Sequence, residues 1–255
     1  MEKIIFDDLS NMPNKSLVII PTYNEKENIT SIIEAVLSQN ETFDVLIVDD
    51  NSPDGTATIV ESLMQNNDRI LIHKRPGKLG LGTAYIAGFK IALQKDYAYI
   101  FEMDADFSHD PKKLNELLAK CKEPDVDLVI GSRYIKGGGL ENWSKYRLFL
   151  SFSASLYVRL IANINVMDPT AGFMCYSRKV LETIDLNKIK LKGYGFQIEM
   201  KYAAHCNDLK IAEVPIIFRD RLLGQSKMNG SIIVEAVLGV VKMKYKSFSG
   251  YYRAD

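Results

Sequence analysis

The chain has 255 residues, 47% hydrophobic and 25% charged, close to the averages for soluble globular proteins, which excludes disorder and fibrous repeats. At roughly 150 residues per domain this length suits one large α/β domain. Lys and Arg number 32 and Asp and Glu number 32, so no global basic field exists to hold nucleic acid and an anionic partner must be held locally.

The first fifteen residues have no apolar stretch followed by a small-residue cleavage site, so the chain reads as starting and staying in the cytosol. Short β-rich apolar runs then recur at residues 17–20, 45–48, 70–72, 97–103 and 128–130. Between the first two, Ile29, Ile32, Ile33, Val36 and Leu37 trace one helix face. Asn24 with Glu27 three residues later has the form of a capping box for that helix. Runs apolar on both faces and alternating with helices predict a parallel sheet covered on both sides. Such sheets bind ligands beyond the carboxyl ends of their strands.

Three of those ends are rich in carboxylates and hydroxyls. The first carries Pro21, Thr22, Tyr23, Asn24 and Glu25, the second Asp49, Asp50, Ser52 and Asp54, and the fourth Asp104 and Asp106. Carboxylates accept from base N–H groups and ribose hydroxyls. Two acids at i and i+2 hold a hard divalent cation that also binds phosphate oxygens. Together these describe a nucleotide-diphosphate pocket, although Asp49 and Asp50 suit a helix cap and a solvated turn equally well. Among eighteen aspartates about one Asp-x-Asp pair arises by chance, so position decides. Asp125 and Asp127 precede their apolar run, whereas Asp104 and Asp106 follow theirs, on the ligand-binding edge.

The glycines at 77, 80 and 82 match neither a dinucleotide fingerprint, since position 85 is Tyr85, nor a P-loop. They read instead as the start of a helix bearing Ala84, Ala87, Gly88 and Ile91, with Lys78 as a candidate phosphate contact or a solvated lysine. His109 adjoins the acidic cluster, but His73 and His205 offer no partner pattern for a metal site. The odd set Cys121, Cys175 and Cys206 fits a reducing compartment better than a disulfide framework or zinc site.

No segment has the 20 or so apolar residues a bilayer span needs. Residues 148–166 are broken by Arg159, and residues 232–241 are short and contain Glu235. Residues 218–255 hold seven Lys and Arg against three acids. Both segments read as core-packing helices or as amphipathic helices on anionic lipid.

Further motifs complete the set: Gly131-Ser132-Arg133-Tyr134, then Trp143 to Arg147, Asp168-Pro169-Thr170-Ala171-Gly172-Phe173, Gly195-Phe196-Gln197 with Glu199, and Arg219 to Lys227. In this order they resemble the inverting family 2 glycosyltransferases of the GT-A fold, most nearly the polyprenol-phosphate (dolichol-phosphate) mannose synthases, from about residue 17 to 227. The resemblance implies an α/β GT-A, Rossmann-like single domain over residues 1–255, with a central mostly parallel sheet flanked by helices. Its core would span about 17–227, with a C-terminal amphipathic helix at about 229–246.

By the same resemblance, Pro21, Tyr23, Glu25 and Asp50 hold the donor base and ribose. Asp104 and Asp106, completed by Ser108, hold Mg²⁺ or Mn²⁺ on the diphosphate. His109 and Asp110 depart from the His-Pro usual at that point. Arg133 and Arg147 receive the acceptor phosphate; Arg221, Ser226 and Lys227 reach the donor diphosphate, with Lys78 beside them. The implied reaction moves mannose from GDP-mannose to a polyprenyl phosphate with inversion, on the cytoplasmic membrane face, with or without a membrane-anchoring partner. A UDP-sugar donor, as in polyprenyl-phosphate glucosyl transfer, or a soluble acceptor stays open, because nothing between Pro21 and Asp54 reads the base uniquely. A catalytically silent nucleotide-sugar binding module is the alternative from another class; it would have no need of Asp104, Asp106, Arg133, Arg147 and Lys227 together.

Overall fold

A computed structural model describes residues 15–191, 193–219 and 230–254. The apolar runs form strands: β1 (Ser16–Thr22), β2 (Phe43–Asp49), β3 (Ile70–Lys74), β4 (Tyr99–Glu102) and β5 (Leu128–Ser132). Helices α1 (Ile29–Leu37), α2 (Thr56–Met64), α3 (Leu81–Gln94) and α4 (Lys113–Cys121) alternate with them. After β5 come β6 (Gly139–Glu141), α5 (Lys145–Ala162), β7 (Met174–Ser177), α6 (Arg178–Thr183), α7 (Tyr194–Cys206), β8 (Ile211–Pro215), β9 (Ile217–Arg219) and α8 (Gly230–Ser247).

Seven strands make one sheet in the order β3-β2-β1-β4-β7-β5-β8. All its pairings are parallel except those of β7, which runs antiparallel to both β4 and β5. This is the α/β, mostly parallel architecture that the alternating pattern predicts. Strand residues point alternately to two cores. Leu17 and Ile19 pack with α3, α5, α6, α7 and α8, while Val18 and Ile20 pack with α1, α2 and α4. That two-sided burial is why the strands are continuous apolar runs rather than alternating ones. A separate two-stranded sheet pairs β6 with β9 in parallel.

Two local expectations change. The capping box of Asn24 and Glu27 does not form: α1 starts at Ile29, its cap residue Asn28 makes no side-chain cap bond, and Asn24 is in a left-handed turn at φ 60°. The carbonyl of Glu25 instead accepts from the amides of Asn28 and Ile29. The segment read as residues 148–166 is α5, which opens earlier because Ser144 caps it, its hydroxyl accepting from the Arg147 amide. The glycine cluster does start α3, with Gly80 at φ 102° in the cap position. The C-terminal helix expected at about 229–246 is α8.

Close packing of α3 on β1 depends on Gly88, where an added Cβ would lie 2.7 Å from the Ile19 side chain. Gly88→Val should therefore destabilise the protein by about 2 to 3 kcal/mol from overpacking, read as a lower midpoint in urea unfolding. An unchanged midpoint would show that the α3–β1 spacing is not fixed at this position.

Candidate functional site

The carboxyl ends of β1, β2 and β4 share one edge of the sheet, and each end is fixed by hydrogen bonds reaching across to its neighbour. Thr22 Oγ1 donates to Asp49 Oδ1 (2.8 Å), which also accepts from Ser52 Oγ (2.6 Å). Asp49, fully buried, therefore shapes the β2 turn. Asp50 faces a cation. Arg75, just after β3, donates from Nε to Asp50 Oδ1 (2.6 Å), from Nη1 to Thr83 Oγ1 (2.8 Å) and from Nη2 to the Gly80 carbonyl (3.2 Å). Both partners are buried. The guanidinium thus ties the second strand end to the start of α3.

On the same edge, Lys78 lies 4.7 Å over the Tyr23 ring, a cation–π contact on the exposed side of the turn. Glu25 accepts from Asn28 Nδ2 (3.2 Å), and its amide donates to Thr56 Oγ1 (3.1 Å). Pro21 lies within β1, paired with Val48.

At the end of β4, Asp104 and Asp106 are partly exposed, while Ser108 and His109 are buried. Phe107 has φ 59°, a left-handed conformation disfavoured by roughly 1 to 2 kcal/mol for such a side chain. It turns the chain so that the Ser108 amide donates back to Asp106 Oδ1 (3.1 Å). Nδ1 of His109 accepts from the Asp104 amide (3.1 Å), so this nitrogen is committed to the backbone rather than to a cation. Burial pushes the imidazole down to about 4, against the raising effect of Asp106, and the ring is neutral at pH 7. Among the described residues no three His, Cys, Asp or Glu converge on a cation. Two carboxylates open to solvent at a strand end nevertheless suit a Mg²⁺-like ion that takes its remaining ligands from substrate phosphate and water.

Asp125 and Asp127 have different work. Asp125 is exposed in a turn at φ 65°. Asp127 accepts from the Lys210 amide (2.8 Å) and Lys179 Nζ (3.0 Å), holding the amino end of β5.

Arg133 is buried at the end of β5 against Asp168. Nε donates to Asp168 Oδ2 and Nη2 to Oδ1, both at 2.7 Å, and Nη2 also to Thr170 Oγ1 (2.7 Å). Burial alone would raise the Asp168 pKa, but the guanidinium holds it below the ordinary carboxylate value. The Arg133 fork expected on an acceptor phosphate is thus engaged within the protein. Arg147 lies elsewhere, in the first turn of α5, with its guanidinium 3.7 Å from the Trp143 ring centroid. Arg221, Ser226 and Lys227 lie outside the described residues.

The aromatic rings join these parts. Trp143 packs edge-on to Phe218 of β9 (5.8 Å), and Phe218 edge-on to His109 (5.4 Å), which stacks on Phe173 (4.9 Å). Motif reading missed Arg75 and Phe218, and it included Trp143 in a motif without giving it a role. Arg75 carried one local signal, a basic residue ending an apolar run just before Pro76 and Gly77. The meeting of Trp143 with Phe218 depends on the pairing of β6 with β9 and has no local signal.

The sequence profile of "Glycosyl transferase family 2" matches residues 17–185. The chain is 45% identical over 229 residues to the polyprenol monophosphomannose synthase of Mycolicibacterium smegmatis, covering 89% of this chain and 86% of that protein. It is 43% identical over 226 residues to the undecaprenyl-phosphate mannosyltransferase of Micrococcus luteus, covering 89% and 92%. The fold matches glucosyl-3-phosphoglycerate synthase of Mycobacterium tuberculosis, solved with Mn²⁺, UDP and glucosyl-3-phosphoglycerate, at TM-score 0.65 and 16% identity, covering 91% of this chain and 80% of that one.

The buried Asp50–Arg75 pair predicts non-additive energetics. Arg75→Met should cost about 3 to 5 kcal/mol by stranding a buried carboxylate. The double variant Asp50→Asn with Arg75→Met should lose clearly less than the sum of the single losses, measured by chemical denaturation. Additive losses would contradict a coupled pair.

Proposed function

The chain belongs to glycosyl transferase family 2, and we propose that it transfers mannose from GDP-mannose to a polyprenyl phosphate with inversion at C1. The observation that carries this reading is the pairing of two sites. A carboxylate-lined strand-end edge suits a nucleotide diphosphate, and an arginine at a helix start adjoins an exposed apolar surface. The identity of 45% to a polyprenol monophosphomannose synthase supports the sugar and the lipid phosphate.

In this reading Pro21, Tyr23, Glu25 and Asp50 receive the base and ribose, and Arg75 fixes Asp50 in place. Asp104 and Asp106 hold Mg²⁺ or Mn²⁺, with the Ser108 amide orienting Asp106. When bound, the cation neutralises charge on the departing diphosphate. Arg221, Ser226 and Lys227 are assigned to that diphosphate by family resemblance, and Lys78 by its place before the start of α3. Arg147 orients the acceptor at the amino end of α5, where helix amides also favour an anion. A phosphate monoester with a second pKa near 6 is already largely ionised at neutral pH, so attack on C1 calls for orientation more than for a strong general base. Arg133 supports the acceptor side by holding Asp168 and its loop.

The membrane surface is part of the proposal. No helix among the described residues is long and apolar enough to cross a membrane. Yet α5 exposes Phe149, Phe152 and Leu160, and α8 together with the turn after it exposes Val241, Tyr245 and Phe248. The two helices touch, since Tyr157 Oη donates to the Val237 carbonyl (3.0 Å) and Lys244 Nζ to the Ala162 carbonyl (3.2 Å). Exposed Lys145, Lys242 and Lys246 accompany this apolar face. Aromatic and aliphatic side chains with neighbouring lysines suit the cytoplasmic face of an anionic bilayer.

Asp106→Asn should abolish transfer from GDP-mannose to a polyprenyl phosphate in Mg²⁺ or Mn²⁺, while Asp125→Asn leaves it intact. Equal losses would overturn the assignment of the strand-end carboxylates. On vesicles, sedimentation should show binding that rises with anionic lipid and is released by high salt or alkaline washing. Combining Phe149→Asp with Phe248→Asp should weaken it about ten-fold or more. Unchanged binding would place the membrane contact elsewhere.

A further inference from the structure

We infer that Trp143 is a positioning residue for the acceptor: its indole is the shelf that holds the Arg147 guanidinium, and the ring contacts beneath it tie that arginine to the backbone that carries Asp104. The inference rests on the reading of Arg147 as the acceptor-phosphate residue. Three observations carry it. Arg147 lies 3.7 Å from the ring centroid, well inside cation–π range. Trp143 is itself fixed edge-on by Phe218 (88° between planes), and Phe218 by His109 (73°). His109 in turn accepts from the Asp104 amide. A chain of direct contacts therefore runs from the acceptor arginine to the backbone amide of Asp104 at the end of β4.

The physical role follows from arginine's flexibility. A guanidinium on a long stem loses rotamer freedom when it binds a phosphate, and a shelf that fixes its plane beforehand removes part of that loss. Small errors in placing a nucleophile are expensive in rate. The small β6–β9 sheet then has a function: it sets the spacing between acceptor oxygen and donor sugar through the Trp143–Phe218 contact. The indole Nε1 is buried and has no hydrogen-bond partner among the described residues. Replacement by phenylalanine thus keeps an aromatic shelf and breaks no hydrogen bond among the described residues.

Trp143 is the sole tryptophan of the chain, so its fluorescence reports on the shelf directly. In the wild-type protein, titration with a short polyprenyl phosphate, which does not absorb in the indole band, should change the emission and reduce quenching by acrylamide. The matching polyprenyl alcohol and inorganic phosphate at the same concentrations should do so far less. In steady-state assays Trp143→Leu should raise the acceptor KM about ten-fold and leave the GDP-mannose KM within about two-fold, while Trp143→Phe stays within about three-fold of wild type on both. Circular dichroism and thermal unfolding check that the variants are folded.

Equal effects of Trp143→Leu on both KM values, or a phenylalanine variant as impaired as the leucine one, would overturn the shelf. So would wild-type emission indifferent to the lipid phosphate while transfer proceeds. If the wild-type protein transfers to no polyprenyl phosphate at all, the function reading itself fails and the inference falls with it.

Discussion

A fully buried carboxylate is tolerable only if enough donors reach it, and Asp168 imposes that demand on half the molecule. Arg133 brings the end of β5 to it with two side-chain bonds and its backbone amide. The amides of Met167 and Asp168 donate to Glu213 of β8, so the same loop is tied to the sheet edge. Lys201 of α7, fully buried, donates to the Ala171 carbonyl (2.6 Å) and ties the loop to the helical layer. Burial lowers the Lys201 pKa to about 8, with Glu102 and Asp168 opposing the shift. The end of β5, the edge strand β8 and helix α7 thus converge on the loop that holds one negative charge.

In the proposed reading that arrangement separates two tasks. The parallel half of the sheet, β1 to β4, places carboxylates along one edge, where the donor is assigned. The half containing β7, together with the β6–β9 pair, carries Arg133, and Trp143 and Phe218 pack beside Arg147, where the acceptor is assigned. Glu102 lies at the join. Burial raises its pKa to about 8 while it accepts from Tyr176 Oη of β7 (2.7 Å). Directly after it, the chain leaves the sheet to present Asp104 and Asp106.

The first half of this fold was legible because burial on both faces leaves an unmistakable apolar run, and because the two Asp-x-Asp pairs differ in which end of a strand they occupy. The strands β7 and β8 were harder to see. The first is four residues ending in Ser177, and the second is an edge strand with Glu213 in its middle. The Asn24–Glu27 spacing misled because a left-handed turn at Asn24 delays α1 by a turn. Arg133 was recognisable as a motif residue, but its engagement with Asp168 spans 35 positions and no local pattern encodes it. The same holds for Trp143 and Phe218. Local periodicity reveals which faces are buried; it does not reveal which buried charges and rings will meet.

The central claim is a direct displacement at C1 by a lipid phosphate oxygen, and the configuration of the product tests it most directly. GDP-mannose, the proposed donor, carries an α linkage. After incubation with polyprenyl phosphate and Mg²⁺ or Mn²⁺, the lipid product should show the one-bond carbon–proton coupling at C1 of a β-mannosyl phosphodiester. An α-linked lipid product, or release of free mannose with no lipid-linked sugar, would contradict the account.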